Sequence, residues 1–275
     1  MYPLLLQIGP IALYSYGFFT ASGFLTATYY IVKVSNKAPS TPQNTKQLGN
    51  TRPTPPHTVL SEDAVYGLIF ACIIGGVLGA RLTYVLLNLG SFRDNILSVF
   101  KVWEGGLVFY GGFLTAFISS FIYAKRKKVS FMRITDVFAP AVLIGHFFGR
   151  IGCFMAGCCF GRVSTLPWAV KFTNAASLAP QGIHLHPVQL YEAFGNLILF
   201  FVLHRYNQKP HVAGTTFSLY LIFYPLMRFF IEFLRADDRG GNIFVFSPSQ
   251  ALSLIMFGAG LALFITLKRK AQIER

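Results

Sequence analysis

The sequence predicts an all-α, polytopic membrane protein of about seven transmembrane helices, with the amino terminus outside and the carboxyl terminus in the cytoplasm. Three observations predict it. Mean hydropathy is +0.52 and only 12% of residues are charged, against about 25% in ordinary soluble domains. Apolar runs recur at about the 20-residue length that a helix needs to cross the hydrocarbon. Fifteen of the 24 Lys and Arg residues fall on one side of a seven-span chain: Lys33 to Arg52, Lys125 to Lys128, Arg133, Arg205, Lys209 and the carboxyl tail. Only Arg93, Lys101, Arg162, Lys171 and Arg239 fall in the opposite loops, and basic loops stay cytoplasmic. The net charge of +14 is therefore a topology signal. It excludes nucleic acid as the partner, because the excess sits in short loops beside apolar segments.

The elements follow in order. The amino terminus lacks a basic n-region and a small-residue cleavage site, so no removable signal peptide is expected. The first span covers Ile11 to Val34 and opens with Tyr14 and Tyr16. Residues 35–60, rich in Pro, Thr, Asn and Lys, cannot bury a core and read as a flexible cytoplasmic loop. The second span, Asp63 to Leu87, carries Gly75, Gly76 and Gly79 as a face for close helix packing, and then Arg81. A polar connection leads to Trp103–Gly112, WEGGLVFYGG, whose irregular backbone survives in a membrane only under protein or beside water. The third span continues to Ala124 and stops at Lys125-Arg126-Lys127-Lys128. The fourth begins near Asp136 and runs into Gly145–Arg162, GHFFGRIGCFMAGCCFGR. An irregular outer-face loop spans 159–186. Spans five, six and seven cover Val188–Leu203, Gly214–Leu234 and Pro248–Leu267, the last closed by Lys268-Arg269-Lys270. The chain is expected to form a single integral-membrane domain over 1–275.

The chemistry concentrates in charged groups that such a membrane segment carries at a cost, about 2.5–3.5 kcal/mol for a central arginine. His146 and Arg150 are four apart on the fourth span, hence on one face. Tyr224, Arg228, Glu232 and Arg235 share one face of the sixth. With Arg81 these are four arginines, all expected toward the outer leaflet, against few carboxylates near the spans (Glu104, Glu192, Glu232, Asp136). Two readings compete: ion pairs that glue helices, or a grip on an anion. The guanidinium fork matches phosphate oxygens, and a lipid phosphate is the anion found at that depth. At the start of the fifth span Gln189 and Glu192 are expected to face inward. Cys153, Cys158 and Cys159 cluster without Cys-x-x-Cys, and Cys-x4-Cys-Cys is not a standard ligand spacing, so no metal and no cofactor are expected. A disulfide from Cys153 to one of the other two, or buried free thiols, remain as alternatives; a vicinal Cys158–Cys159 bond would be strained.

These residues carry a resemblance. Gly79-Ala80-Arg81, Trp103-Glu104-Gly105-Gly106, Gly111-Gly112, Gly149-Arg150-Ile151-Gly152 and Gly161-Arg162 occur in that order. They are followed by His186-Pro187-x-Gln189-Leu190-Tyr191-Glu192 and by Tyr224 through Arg228 to Glu232-Phe233-x-Arg235, with Tyr16-Gly17 near the start. The chain resembles the prolipoprotein diacylglyceryl transferases of the bacterial inner membrane over nearly its whole length. The resemblance implies seven spans with the active face toward the outer leaflet. It implies transfer of a diacylglyceryl group from phosphatidylglycerol to the lipobox cysteine thiol in the signal peptide of a lipoprotein precursor. It also implies that Arg150 and Arg228 hold the donor's phosphate as catalytic residues; for the base, the residues themselves offer Tyr110, helped by a nearby arginine, or His146 by its i, i+4 place beside Arg150. Substrate binding would fall to Tyr16, Arg81, Glu104, Gly161, Gln189, Glu192, Tyr224, Glu232 and Arg235. Three positions depart from the family pattern: Tyr110 where many members have histidine, Cys153 where the signature has asparagine, and Cys158 where an acidic residue is usual. A paralogue acting on another lipid or thiol would share the same scaffold. A lipid or anion transporter and a membrane thiol oxidoreductase are the other readings, the first without an internal repeat and the second without Cys-x-x-Cys.

Overall fold

The computed structural model describes residues 1–9, 11–36, 62–92, 95–102, 105–237 and 245–273. Among the described residues seven α-helices dominate: α1 (Ser15–Asn36), α2 (Glu62–Leu87), α3 (Phe109–Arg126), α4 (Phe131–Ala156), α5 (Val188–Asn207), α6 (Thr215–Glu232) and α7 (Pro248–Ile273). Two small antiparallel hairpins accompany them, β1 (Leu4–Ile8) with β2 (Ile11–Tyr14), and β3 (Val170–Lys171) with β4 (His184–Leu185). Single 3-10 turns cover Leu89–Phe92 and Ile96–Phe100. Each of the seven expected spans thus has its helix. Those over Asp63–Leu87, Phe131–Ala156 and Pro248–Ile273 are long and apolar enough to cross a membrane.

The differences from expectation lie at the ends. The first span loses Ile11–Tyr14 to β2, which folds back on β1; Ser15 then anchors the hairpin by donating its Oγ and N–H to the Pro3 carbonyl at 3.1 and 2.9 Å. The loop at 159–186 is not irregular throughout. It holds β3 and β4 around fully buried Phe172, which packs with Ala179 and Leu185. The 35–60 loop lies outside the described residues except Ser35 and Asn36, which close α1.

The described residues fall into two compact units, one from residues 1–33 and 135–273, the other from residues 34–36 and 62–134. In the smaller unit α2 and α3 pack through small residues. A Cβ on Gly112 would stand 2.8 Å from the Gly76 carbonyl oxygen, so the backbones touch. That approach lets Thr115 and Ser119 donate across the interface to the Gly75 and Ala71 carbonyls at 2.7 and 2.8 Å. Glycine here serves packing.

In the larger unit two caps fix the helices that carry the site. Asp136, fully buried, accepts hydrogen bonds from the Gly214 and Phe217 N–H groups at 2.6 and 2.8 Å and lies 3.4 Å from His211 Nε2. Asp136 therefore caps α6 and is no counter-ion for the arginines. Ser247 and Gln250 cap α7 reciprocally: the Gln250 side chain accepts from the Ser247 N–H at 3.0 Å, and Ser247 Oγ accepts from the Gln250 N–H at 3.2 Å. This is the capping-box arrangement, with Pro248 at the first helical position, where its missing N–H is harmless.

Polarity is distributed as a bilayer demands. Buried positions include Asp136, Gln189, Glu192, Asn196, Thr216 and Ser218, while Phe24, Leu25, Leu78, Phe113, Ile198, Phe230 and Ile255 are exposed. The chain is a membrane protein.

Candidate functional site

The larger unit brings the charged faces of α4, α5 and α6 together. Arg150 on α4 meets Glu192 on α5, Nη2 to Oε1 at 2.9 Å, with Glu192 wholly buried. Arg150 also lies against Tyr224 on α6. One turn earlier on α4, His146 packs its ring on Tyr224 with centroids 5.4 Å apart, within electrostatic reach of Arg150 and Glu192. The i, i+4 reading of His146 and Arg150 thus holds, and both face the same tyrosine.

On α6, Arg228 pairs with Glu232 one turn on, as the spacing predicts. Its Nη2 donates to Ser249 Oγ on α7 at 3.3 Å. Glu232 accepts in addition from Ser247 Oγ at 2.8 Å and lies 3.7 Å from Arg235 Nε. Arg235 is held bidentately by Asp237, at 2.9 and 2.7 Å. A carboxylate therefore serves each of Arg150, Arg228 and Arg235. The guanidinium of Arg228 still keeps a donor in reserve: Nη1 is buried and has no hydrogen-bond partner among the described residues.

Gly161 explains how Arg235 reaches this place. The segment around Gly161 pairs antiparallel with that around Arg235: the Arg162 N–H donates to the Leu234 carbonyl at 2.8 Å and the Ala236 N–H to the Phe160 carbonyl at 3.2 Å. A Cβ at Gly161 would sit 2.5 Å from the His186 carbonyl oxygen. Only glycine lets three chain segments meet there.

The cysteines lie against this clamp. Gly157, at φ +78, turns the chain back at the end of α4, and Cys158 Sγ reaches the Cys153 carbonyl at 3.7 Å. All four cysteines are free thiols. The sulfurs of Cys153, Cys158 and Cys159 lie within 4.8 Å of one another, brought together by the turn at Gly157. Cys159 adopts φ +60, a strained value for a non-glycine residue that costs about 1–3 kcal/mol. Hydrogen bonds from the Cys153 and Cys158 thiols hold the Cys159 thiol below its usual range, and Arg235 beside it acts in the same direction against the effect of burial. Gln189 donates to the Cys158 carbonyl at 2.8 Å, while its buried Oε1 has no partner among the described residues. Tyr16 opens α1 where it crosses α4: a Cβ on Gly152 would stand 3.4 Å from Tyr16 Cα.

Other expected site residues belong to the smaller unit or lie outside the described residues. Arg81 belongs to the smaller unit and gives its donors to backbone carbonyls: Val99 (2.8 Å), Ser98 (2.6 Å), Gly105 (2.7 Å) and Gly106 (3.2 Å). It shapes that loop. Tyr110 starts α3 in the same unit, its side chain outside the described residues, as is all of Glu104. Four participants went unread in the sequence. Asp237 could have been found from the acidic pair after Arg235. Ser247 and Ser249 needed the α6–α7 packing. Asn196, fully buried with neither side-chain atom partnered among the described residues, lies four residues after Glu192 and so on its face.

A family model described as prolipoprotein diacylglyceryl transferase matches residues 3–266. Among curated proteins the chain is similar to the phosphatidylglycerol–prolipoprotein diacylglyceryl transferase of Clostridium tetani, 35% identical over 96% of this chain and 97% of that one. The protein of that name from Photobacterium profundum is 38% identical over 95% of this chain and 92% of its own length. That from Geobacter sulfurreducens is 32% identical over 98% and 96%.

Proposed function

The chain belongs to the prolipoprotein diacylglyceryl transferase family, and we propose that it transfers a diacylglyceryl group from phosphatidylglycerol to the lipobox cysteine thiol of a lipoprotein precursor. The observation that carries this reading is the buried, unpartnered Nη1 of Arg228, whose partner Glu232 also neighbours Arg235, with Arg150 against Tyr224 one turn before Arg228 on α6. In the reaction, the bond from the diacylglycerol carbon to the phosphate oxygen breaks and negative charge grows on the leaving phosphate. Preorganised guanidinium groups in a dry site stabilise that charge without reorganising. Arg228 and Arg150 form the grip, and Glu192 and Glu232 orient it. Because each arginine is already neutralised, the site tolerates burial before the lipid arrives. Its spare hydrogen-bond capacity then recognises the phosphate.

The acceptor sulfur must attack as thiolate. His146, beside Tyr224 and one turn from Arg150, and Tyr110 are the protein groups offered for its proton. Gln189, Tyr16 and Gly161, which neighbour Cys158, Gly152 and Arg235, take part in binding substrate, and Arg81 holds the loop after Ser98. All seven helices span the bacterial inner membrane in this reading, with the site toward the outer leaflet, where precursors emerge and phosphatidylglycerol is at hand.

The test is direct. Detergent-purified protein receives labelled phosphatidylglycerol and a lipobox peptide, with S-diacylglyceryl peptide as the readout. Thioether product formed by the wild type and lost in Arg228→Ala is the expected result. No product under conditions where another transferase of the family works would overturn the reading.

A further inference from the structure

The three cysteines form a site that the transfer chemistry leaves unassigned. Their sulfurs, all within 4.8 Å of one another, come from two places: Cys153 from the last turn of α4, Cys158 and Cys159 from the segment beyond Gly157. Thiolates about 2.3 Å from a tetrahedral zinc ion stand ~3.8 Å from each other, so the set is about 1 Å from closing on one ion. Cys153 is buried and the other two are half-buried, which shields the set from competing ligands. Among the described residues no further His, Cys, Asp or Glu joins the group. Three protein ligands with a fourth position left open is the pattern of a catalytic zinc, whereas a structural zinc is closed by four. The surroundings suit the charge. Three thiolates on a divalent ion leave one negative charge, and Arg235 already hydrogen-bonds Cys159, while Arg150 is one turn from Cys153.

We propose that Cys153, Cys158 and Cys159 bind one zinc ion whose open position takes the acceptor thiol of the lipobox cysteine. This deepens the transferase reading and rests on it. A thiol that coordinates zinc gives up its proton, here to solvent as the metal-bound water leaves, so that with zinc bound neither His146 nor Tyr110 has to take it. The zinc-held sulfur keeps a nucleophilic electron pair in a site where Arg150 and Arg228 hold the donor's phosphate. Its attack forms the sulfur–carbon bond to the glyceryl carbon and breaks that carbon's bond to the phosphate oxygen. The electron pair leaves with glycerol phosphate. The thioether product is a weak ligand, so it departs and water returns to the metal. Zinc changes no oxidation state, and no further reactant enters. Gln189, fixed on the Cys158 carbonyl with its Oε1 unpartnered, offers an acceptor to the peptide beside the metal.

The experiment uses the full chain, purified in detergent with a phosphine reductant. Metal analysis and zinc titration against a chromophoric chelator should give one ion per chain, lost in Cys158→Ser and in Cys159→Ser and retained in Cys72→Ser. Cobalt(II) loaded in place of zinc should give thiolate charge-transfer absorption. Addition of a lipobox peptide should shift that spectrum, and the same peptide with serine for cysteine should not. Metal-free protein should lose transfer and regain it on adding zinc. Absence of a stoichiometric ion in the reduced wild type overturns the proposal, and that measurement depends on no variant's folding. A cobalt spectrum that the peptide thiol leaves unmoved overturns it as well. Unchanged transfer by metal-free protein overturns the zinc role and leaves the transferase reading standing. A bound zinc with no transfer under any condition overturns the transferase reading and the metal's role together.

Discussion

A single guanidinium shows how burial and recognition are reconciled. Arg228 has 7% of its surface exposed, and an unpaired charge there would be untenable. Glu232 and Ser249 take part of it, and Nη1 is left over. Arg228→Lys keeps the charge and loses the fork. It should lower the transfer rate by roughly 10²–10³-fold, as loss of one oxyanion donor does, with smaller effect on the KM for peptide. A second residue-scale prediction concerns Cys159. Its thiol is held low, so thiolate persists at pH values below the ~8.5 of an ordinary cysteine. In metal-free protein, iodoacetamide should label Cys159 readily at neutral pH. Arg235→Ala removes one of the causes and should move the labelling profile to higher pH, read by site-resolved mass spectrometry. An unshifted profile would refute the pairing. At this scale the sequence made Arg150, Arg228, Glu192 and Glu232 legible, since helical spacing and the scarcity of carboxylates both pointed to them. Asp237 was within reach, two residues after Arg235, whereas Asp136 as a cap was not, because that contact joins α4 to the start of α6 and depends on where a loop folds.

Among the elements, the caps and the small sheet position the site. Two backbone N–H groups at the start of α6 end on one buried carboxylate. Asp136→Ala strips that cap and should cost about 2 kcal/mol or more, seen as a lowered thermal unfolding midpoint in detergent, with Asp136→Asn intermediate. The segment over residues 162–186 is more ordered than its Pro and Gly content suggests. Compositional reading treats Arg162–His186 as loop because strands of two residues carry no periodicity, and its only strong signal is the apolar cluster around Phe172. The pairing of Gly161 with Arg235 is likewise long-range. Gly161→Ala would push the strand from His186 and displace Arg235 from both Asp237 and Cys159. Transfer should fall while the unfolding midpoint of the helices changes little; full activity in that variant would show that the clamp does not set the site.

At the scale of the whole molecule, hydropathy and charge pattern made the helices legible almost to their ends, because crossing a bilayer requires about 20 apolar residues wherever the helix packs. The exceptions obey another rule. Ile11–Tyr14 is apolar enough to continue a span, yet pairs as β2 because β1 precedes it and Ser15 pins the hairpin to Pro3. The distribution of basic residues carries the last prediction. Lys125 and Arg126 close α3, and Lys268, Arg269 and Lys270 lie near the end of α7. Those two ends share a side in a seven-span arrangement, whereas Arg150, Gly161 and Arg235 fall near the opposite ends of α4 and α6. A fluorescent protein that matures only in the cytoplasm, fused after Arg275, should therefore glow. Single cysteines placed at Val163 or Leu178, both exposed, should react with a membrane-impermeant maleimide added to intact spheroplasts in a variant whose four native cysteines are serine. The reverse pattern would put the arginine network on the cytoplasmic side. The charge rule would then have failed for this chain, and the lipid phosphate would have to be drawn from the inner leaflet.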